Sequence, residues 1–195
     1  PYIDEDTTFY TRGFLAVHGT MAQEDVCVIV THLPSRLRPG DAKRVSGAEQ
    51  ITALIAKLKE ENPETKFVVM GDMNDDPDNK SMKTCLGAVR EEEELESPSD
   101  LYNPWWNILR KNGVGTLKYK GKWNLFDQIV ISGNLVGSDR STLKLYRTEI
   151  FSRNYLFQQD GRYKGNTKRT HAGGVWLNGY SDHLPVMVYL VKEAR

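Results

Sequence analysis

One segment between two short apolar runs constrains the fold of this chain more than any other feature. Over residues 41–61, apolar residues recur every three or four positions, which predicts one amphipathic helix that stops at Asn62-Pro63. An apolar, β-branched run precedes it at residues 26–31, and a second run follows it at residues 66–70. Strand, helix and strand in this order are typical of layered α/β folds. We therefore expect an α/β core built on these three elements.

The remainder of the chain is predicted to be mostly strand. Residues 14–17 are expected to form a second buried strand paired with 26–31, and residues 79–89 a short helix. Three further strands are predicted in the second half, the first of them after a turn at residues 119–122: 123–132, 142–150 and 184–191. The acidic stretch 90–100 is predicted to be a solvated loop. Residues 153–179 form a long polar connection, of the kind that is often functional in a compact domain.

Size and charge exclude some classes of protein. A chain of 195 residues is long enough for one α/β core and short for two, so we expect a single domain over 1–195. Lys plus Arg equals Asp plus Glu at 26 each, so no overall positive field attracts a long polyanion, which disfavours a protein that coats DNA. The sequence holds no apolar run long enough to span a bilayer, and Pro1 is followed by polar, acidic residues where a secretory signal would be basic and then apolar. The compartment is therefore left open, including export of a longer gene product.

The strand 66–70 leads directly into Gly71-Asp72-Met73-Asn74. In an extended chain Asp72 and Asn74 point to the same side, roughly 6.6 Å apart. A carboxylate can hold a divalent cation or polarise a water, and an amide can donate to a phosphate oxygen without adding negative charge. The alternative is an ordinary Asp/Asn turn, in which both side chains bond to their own backbone.

Three further candidates stand beside apolar strands. Asp127 opens the run Ile129 to Ile131, His32 closes the run 26–31, and Asp182-His183 precedes the last strand. A histidine exchanges protons near neutrality, and a carboxylate bonded to its ring fixes the tautomer and raises the basicity of the ring. For His183 alone, a surface residue after a turn is the simpler interpretation. His18 and His171 have no such setting and are read as ordinary surface residues.

Five segments in this order resemble the endonuclease/exonuclease/phosphatase superfamily, and the whole chain is most similar to a bacterial subgroup seen in Bacteroidetes. They are THLPS (31–35), Arg44 with Gln50 on the next helix, GDMND (71–75), FDQIVIS (126–132) and SDHLPV (181–186). The resemblance implies a two-sheet α/β sandwich with helices on the outside. It also implies a hydrolase of phosphate esters, a phosphodiesterase, nuclease or phosphatase, that uses Mg²⁺ or Mn²⁺ and in-line attack by water.

Site roles follow from the same resemblance, residue by residue. Asp72 would orient or deprotonate the attacking water, with Asn74 beside it holding the phosphate. His183 would contact the scissile phosphate as general base or charge stabiliser, with Asp127 as its partner. The remaining assignments are substrate contacts by His32 and Arg44 and a metal-binding role for Asp182.

The chain departs from the superfamily pattern at its beginning. The pattern also has an Asn on the first strand and a metal-binding Glu on an early strand, and neither motif is found here. The early acids are interpreted as solvated loop residues, namely Asp4, Glu5, Asp6, Glu24 and Asp25. We therefore expect the C-terminal two thirds of one domain, incomplete at the N-terminus and weakened in Mg²⁺ binding. A sheet edge exposed by missing strands predicts self-association, a partner fragment or marginal stability.

Two rival functions remain at the level of sequence. One is a non-catalytic protein that keeps the fold and a phosphate pocket without the metal. The other is a nucleic-acid-binding module that uses basic and aromatic residues of the second half, among them Lys118, Lys120, Arg162 and Tyr163. The sequence leaves the substrate open between nucleic acid, phospholipid, sugar phosphate and other phosphodiesters.

Overall fold

The computed structural model describes residues 12–36 and 41–194. Of the early acids, Asp4, Glu5 and Asp6 lie outside these residues. The described helices are α1 (Asp41–Glu61) and α2 (Trp106–Asn112). The strands are β1 (Leu15–Met21), β2 (Glu24–His32), β3 (Lys66–Asp72), β4 (Ala88–Val89), β5 (Leu101–Tyr102), β6 (Leu117–Tyr119), β7 (Lys122–Asn124), β8 (Asp127–Ser132), β9 (Lys144–Ile150), β10 (His171–Ala172), β11 (Val175–Trp176) and β12 (Val186–Val191).

A six-stranded mixed sheet of order β1-β2-β3-β8-β5-β4 organises the described chain. The strands β2 and β3 are parallel and joined through α1, as the strand, helix, strand pattern predicts. The strand β8 then pairs antiparallel with β3. This arrangement brings the C-terminal ends of β2 and β3 beside the start of β8.

The sheet has a core on each face because its strands alternate with period two. On one face, Cys27, Phe67 and Val130 pack with Ile51 and Ile55 of α1.

On the other face, Val68 and Ile131 pack with residues of the antiparallel pair β9 and β12, including Leu145 and Val188. The expected α/β sandwich, with a helix outside one sheet and a second sheet on the other face, is confirmed.

The strand β1 corrects one prediction. Its pairing with β2 is as predicted, but every residue of β1 is exposed, whereas a buried strand was expected. Leu15 and Val17 keep 60% and 52% of their surface in contact with solvent. The reason is that β1 is an edge strand, on which no described element packs.

Two predicted elements are interrupted. The expected helix 79–89 is limited to a π-helical turn, Ser81–Cys85, because Gly87 takes a left-handed φ of 70° and residues 88–89 join the sheet. The expected strand 123–132 breaks into β7 and β8, because the backbone N–H of Leu125 donates to the Asp76 carboxylate and the Phe126 carbonyl accepts from Met73. That break ties β8 to the loop after β3.

The turn at Lys120-Gly121 lies within the predicted turn 119–122, and β9 and β12 lie within the predicted strands 142–150 and 184–191. The strand β6, which makes this turn a hairpin, was not predicted. Among the described helices, no stretch is both long and apolar enough to cross a membrane.

Candidate functional site

Three polar side chains meet where β2, β3 and β8 lie side by side. His32 is paired with Asp72 in the parallel ladder, and Asp72 is paired with Asp127 in the antiparallel ladder. Neighbouring strands lie about 4.8 Å apart, so side chains at paired positions are within contact reach. Three residues distant in sequence are thus adjacent along one edge of the sheet.

His183 reaches this row from the chain segment before β12. Its Nδ1 lies 2.7 Å from Oδ2 of Asp127, and 4.0 Å from Oδ2 of Asp72. The backbone around it is held by a bridge to Leu117 and by a bond from the Leu184 N–H to the Thr116 carbonyl. The hydroxyl of Thr116 also accepts the Asp127 backbone N–H, so one short segment positions both members of the Asp127–His183 pair.

Asp72 lies between the two histidines. Its Oδ1 accepts the backbone N–H of Asn74 at 2.9 Å, and its Oδ2 lies 3.4 Å from Nε2 of His32. His32 remains about half exposed, whereas the side chains of Asp72, Asp127 and His183 are mostly buried. The site therefore has a buried acidic floor, formed by the carboxylates of Asp72 and Asp127, and His32 lies at its exposed rim.

The burial and neighbours of Asp72 and His183 shift the pKa values of both side chains. Burial raises the pKa of Asp72, and the negative charge of Asp127 raises it further, against the Asn74 hydrogen bond and the charges of His183 and His32. For His183, burial alone lowers the pKa, but the hydrogen bond and charge of Asp127, with Asp72 and Asp182, leave the net pKa raised. The carboxylates thus favour the imidazolium form of His183.

The same three side chains fit a divalent cation. Asp72, Asp127 and His183 offer ligand atoms within 4.8 Å of one another, and they are the group that the described residues provide for a metal. Burial is the main cause of the raised pKa of Asp72, and the nearby carboxylate of Asp127 raises it further. Carboxylate oxygens are the ligands that Mg²⁺ and Mn²⁺ prefer. Asp72 and Asp127 would hold such an ion, since Nδ1 of His183 is already bonded to Asp127.

Asn74 corrects the expected geometry of the Asp72–Asn74 pair. The strand ends at Asp72, and Asn74 adopts a left-handed φ of 49°, so the two side chains do not project together. Its Nδ2 donates to the Leu33 carbonyl at 2.8 Å and the residue is 7% exposed. Asn74 fixes the turn beneath Asp72, and its contact with a phosphate stays a prediction.

The structure surrounds Arg44 with protein groups. The residue is 2% exposed; its Nε lies 2.9 Å from Oδ2 of Asp75, its Nη1 donates to the Pro34 carbonyl, and its Nη2 pairs with Asp41. Its guanidinium therefore joins α1 to the loops after β2 and β3. A substrate contact by Arg44 finds no support in this geometry.

Asp182 lies next to the site without joining the acidic floor. Its carboxylate pairs with Arg169 at 3.2 Å and its carbonyl accepts the Thr167 hydroxyl. Its role as a metal ligand stays a prediction.

Sequence reasoning missed the residues that hold the floor in place. Gln128 is fully buried; its Nε2 donates to the carbonyls of Asp75 and Leu125, and its Oε1 accepts from Asn103. Asp76 accepts the Leu125 N–H. A glutamine inside the apolar strand DQIVIS was the available signal, because a buried amide needs several partners.

The fold and the site define a class: an α/β sandwich protein with a carboxylate and histidine centre at strand ends that can hold a divalent cation. A sequence model of the Endonuclease/Exonuclease/phosphatase family matches residues 2–192, so the chain belongs to that family. Endonucleases, exonucleases and phosphatases all hydrolyse phosphate esters, so hydrolysis of phosphate esters is the activity that the family has in common. No curated protein was found to match the sequence.

Solved structures share the fold at low identity. Humanized D. rerio TDP2 with 14 mutations is 15% identical, with a TM-score of 0.50 over 89% of this chain and 58% of that one. A Bacteroides thetaiotaomicron mannosyl-6-phosphatase is 16% identical, with a TM-score of 0.53 over 87% of this chain and 52% of that one. A Staphylococcus aureus beta toxin variant with bound magnesium ions is 18% identical, with a TM-score of 0.50 over 91% and 57%. The chain thus spans between 52% and 58% of these three structures.

Proposed function

We propose that the protein is a divalent-metal-dependent hydrolase of phosphate esters, with Asp72, Asp127 and His183 as its reactive group. The observation that carries the proposal is the 2.7 Å contact between Asp127 and His183 directly beside the Asp72 carboxylate. Family membership supports the reaction class, and the bound magnesium of the beta toxin structure supports the cofactor class.

Each side chain has a task that its contacts suit. Asp127 bonds to Nδ1 of His183, which fixes the ring and leaves Nε2 to face a phosphate oxygen or to exchange a proton. Asp72 orients the attacking water or takes a proton from it. His32, half exposed beside Asp72, donates to a phosphate oxygen. A divalent cation held by the carboxylates would neutralise charge on the phosphoryl oxygens.

A simple assay tests this proposal. Bis-p-nitrophenyl phosphate and p-nitrophenyl phosphate are incubated with the protein in Mg²⁺, in Mn²⁺ and in EDTA. We expect turnover with a metal, loss of turnover in EDTA, and a loss of about 10²–10⁴-fold in His183→Ala. The matched control is His171→Ala, which removes an exposed histidine whose ring contacts Trp176. Equal activity of His183→Ala and wild type would refute the proposed role.

The substrate class needs a separate comparison. D. rerio TDP2 has been solved with a single strand DNA product, at 12% identity to this chain, and the Bacteroides relative is a mannosyl-6-phosphatase. These proteins suggest a nucleic acid and a sugar phosphate as first candidates. Release of phosphate or nucleotide from each, with a metal present, decides between them.

A further inference from the structure

A second surface, outside the acidic floor, concentrates positive charge. The hairpin β6-β7 and the segment 158–177 line an open cavity of about 610 Å³. Four cationic residues line it, namely Lys118, Lys120, Arg162 and Arg169, and no carboxylate of the described chain does. Because the whole chain has equal numbers of acidic and basic residues, this concentration is local.

Three of these cations lack an acidic partner among the described residues. Lys118, Lys120 and Arg162 instead lie over aromatic rings, at 5.6 Å from the centroid of Trp123, 5.4 Å from that of Tyr119 and 5.7 Å from that of Tyr163. A cation over a ring keeps its charge available to an anion, whereas an ion pair does not. The cavity therefore attracts a negatively charged ligand.

Ring contacts and backbone hydrogen bonds hold the walls of the cavity in place. The Trp123 ring of the hairpin meets the Phe157 ring edge to face at 6.4 Å. On the opposite side, Phe157 forms a β-bridge to Thr167, and the Gln158 N–H donates to the Asn166 carbonyl. Such a pre-formed cavity, of this volume, matches the usual range for sites of small ligands.

The cavity adjoins the Asp127–His183 pair. Arg169 on its wall pairs with Asp182, and Thr167 donates to the Asp182 carbonyl. The next residue is His183, whose backbone is bridged to Leu117, the neighbour of Lys118. The cavity wall is thus attached to Asp182 and to the backbone of His183, so we expect a molecule whose phosphorus lies at His183 to extend towards the cavity.

We infer that this cavity holds a second anionic group of the substrate, carried on a moiety of monosaccharide or mononucleotide size. The inference rests on the proposed function, since it assigns one phosphate to the acidic floor and a second anion to the basic cavity. Lys118, Lys120 and Arg162 provide the uncompensated charge. Arg169 is already paired with Asp182 and connects this wall to the residue before His183. The rings of Tyr119 and Tyr163, which line the cavity, would contact the sugar or base.

Binding to the His183→Gln variant in Mg²⁺ tests the inference without turnover, because a divalent cation would offset the negative charge of Asp72 and Asp127. The full chain carrying this substitution is titrated by calorimetry with thymidine 3′,5′-bisphosphate, thymidine 5′-monophosphate, glucose 1,6-bisphosphate and glucose 6-phosphate. We expect at least one bisphosphate to bind about tenfold more tightly than its monophosphate, since one added charge-assisted hydrogen bond has roughly that effect. The nucleoside and sugar pairs distinguish the two sources of the second phosphate.

Variants of residues that line the cavity, compared with variants of nearby residues that do not, test whether the cavity causes the tighter binding of the bisphosphate. Lys118→Gln and Arg162→Gln should abolish the tenfold preference for the bisphosphate. Lys122→Gln on the same hairpin and Lys164→Gln beside Arg162 do not line the cavity and should keep it. Equal affinity for bisphosphate and monophosphate, or equal losses in all four variants, would overturn the inference. So would tighter binding of an eight-nucleotide oligothymidine with a steep salt dependence, which indicates a nucleic-acid groove.

Hydrolysis separates this inference from the proposed function. If the protein cleaves thymidine 5′-(p-nitrophenyl phosphate) but shows no bisphosphate preference, the cavity assignment fails alone. If the preference is found while no ester is cleaved with Mg²⁺ or Mn²⁺, the proposed function fails and the cavity remains an anion site.

Discussion

At the scale of single residues, Asp72 and Asp127 concentrate negative charge where two strands meet. Asp72→Asn keeps the shape of the side chain and removes one charge from the group that can hold a cation. We expect Mn²⁺ affinity, measured by electron paramagnetic resonance of the free ion, to fall at least about tenfold, as for other disturbed metal sites. Asp160→Asn, on an exposed carboxylate of the 153–179 connection, should leave it unchanged. Unaltered Mn²⁺ binding in Asp72→Asn would rule out this site.

Asp25 gives a prediction for stability against pH. The Thr65 hydroxyl, then His18 and Asn62, bond to its carboxylate and lower its pKa below the usual 3.8. Because the folded state binds the proton more weakly, this stabilisation is complete above pH 3.8 and disappears as the pH falls through the lower, folded-state pKa.

Urea unfolding at neutral pH and below pH 3.8 measures this contribution. Asp25→Asn should be less stable than wild type at neutral pH, and the difference should shrink in acid. A difference that stays constant with pH would contradict the assignment.

The sequence predicted some site residues better than others. Asp127, Asp72 and His32 stand at strand ends of one sheet and share an edge, so their meeting follows from the fold. His183 comes from the segment before β12, in the second sheet, and only the packing of the two sheets brings it to them. Asn74 and its neighbours could not be predicted in detail, because a single left-handed residue after the strand redirects the side chain. The burial of Arg44 depends on Asp75 and Pro34, which only the folded chain brings to it.

At the scale of elements, the close pairing of β2 with β3 determines the distance between His32 and Asp72. Gly71 has a φ of 140°, and a Cβ there would lie 1.8 Å from the Thr31 carbonyl oxygen. Gly71→Ala must therefore separate the two strands whose ends carry His32 and Asp72. We expect a loss of about 3 kcal/mol or more in the free energy of unfolding, in the range of severe backbone and packing defects.

Thermal unfolding of Gly71→Ala and Gly19→Ala makes the comparison. Gly19 also lies in a strand, but its added Cβ would meet nothing within 4 Å. Gly19→Ala should remain close to wild type. Equal unfolding temperatures for the two variants would show that β2 and β3 tolerate separation.

The sequence patterns predict some element boundaries correctly and others incorrectly. The helix α1 was predicted well because its apolar stripe is long and regular. The run 123–132 was read as one strand, since nothing in its composition shows that Leu125 donates to Asp76, a residue 49 positions away. Long-range hydrogen bonds of this kind override local strand propensity.

At the scale of the whole molecule, the exposed edge strand β1 gives a further prediction. Leu15, Val17 and Met21 form an apolar row on a strand whose outer edge pairs with no other strand of the described residues. Such edges pair with other chains, so we expect sedimentation to show concentration-dependent self-association. Val17→Lys should shift the protein towards the monomer, as inward or edge lysines do in natural sheets. A wild-type protein that is monomeric at every concentration would contradict this expectation.

The central claim is that Asp127 and His183 act as one catalytic unit. A double-mutant cycle of bis-p-nitrophenyl phosphate hydrolysis, with Asp127→Asn, His183→Gln and both together, tests it most directly. Each single variant should lose about 10²–10⁴-fold in kcat/KM, and the double variant should lose little more than His183→Gln alone, because residues that work as a unit are not additive. The account would be contradicted if the losses of the two single variants multiplied in the double variant, or if the single variants hydrolysed the substrate at the wild-type rate.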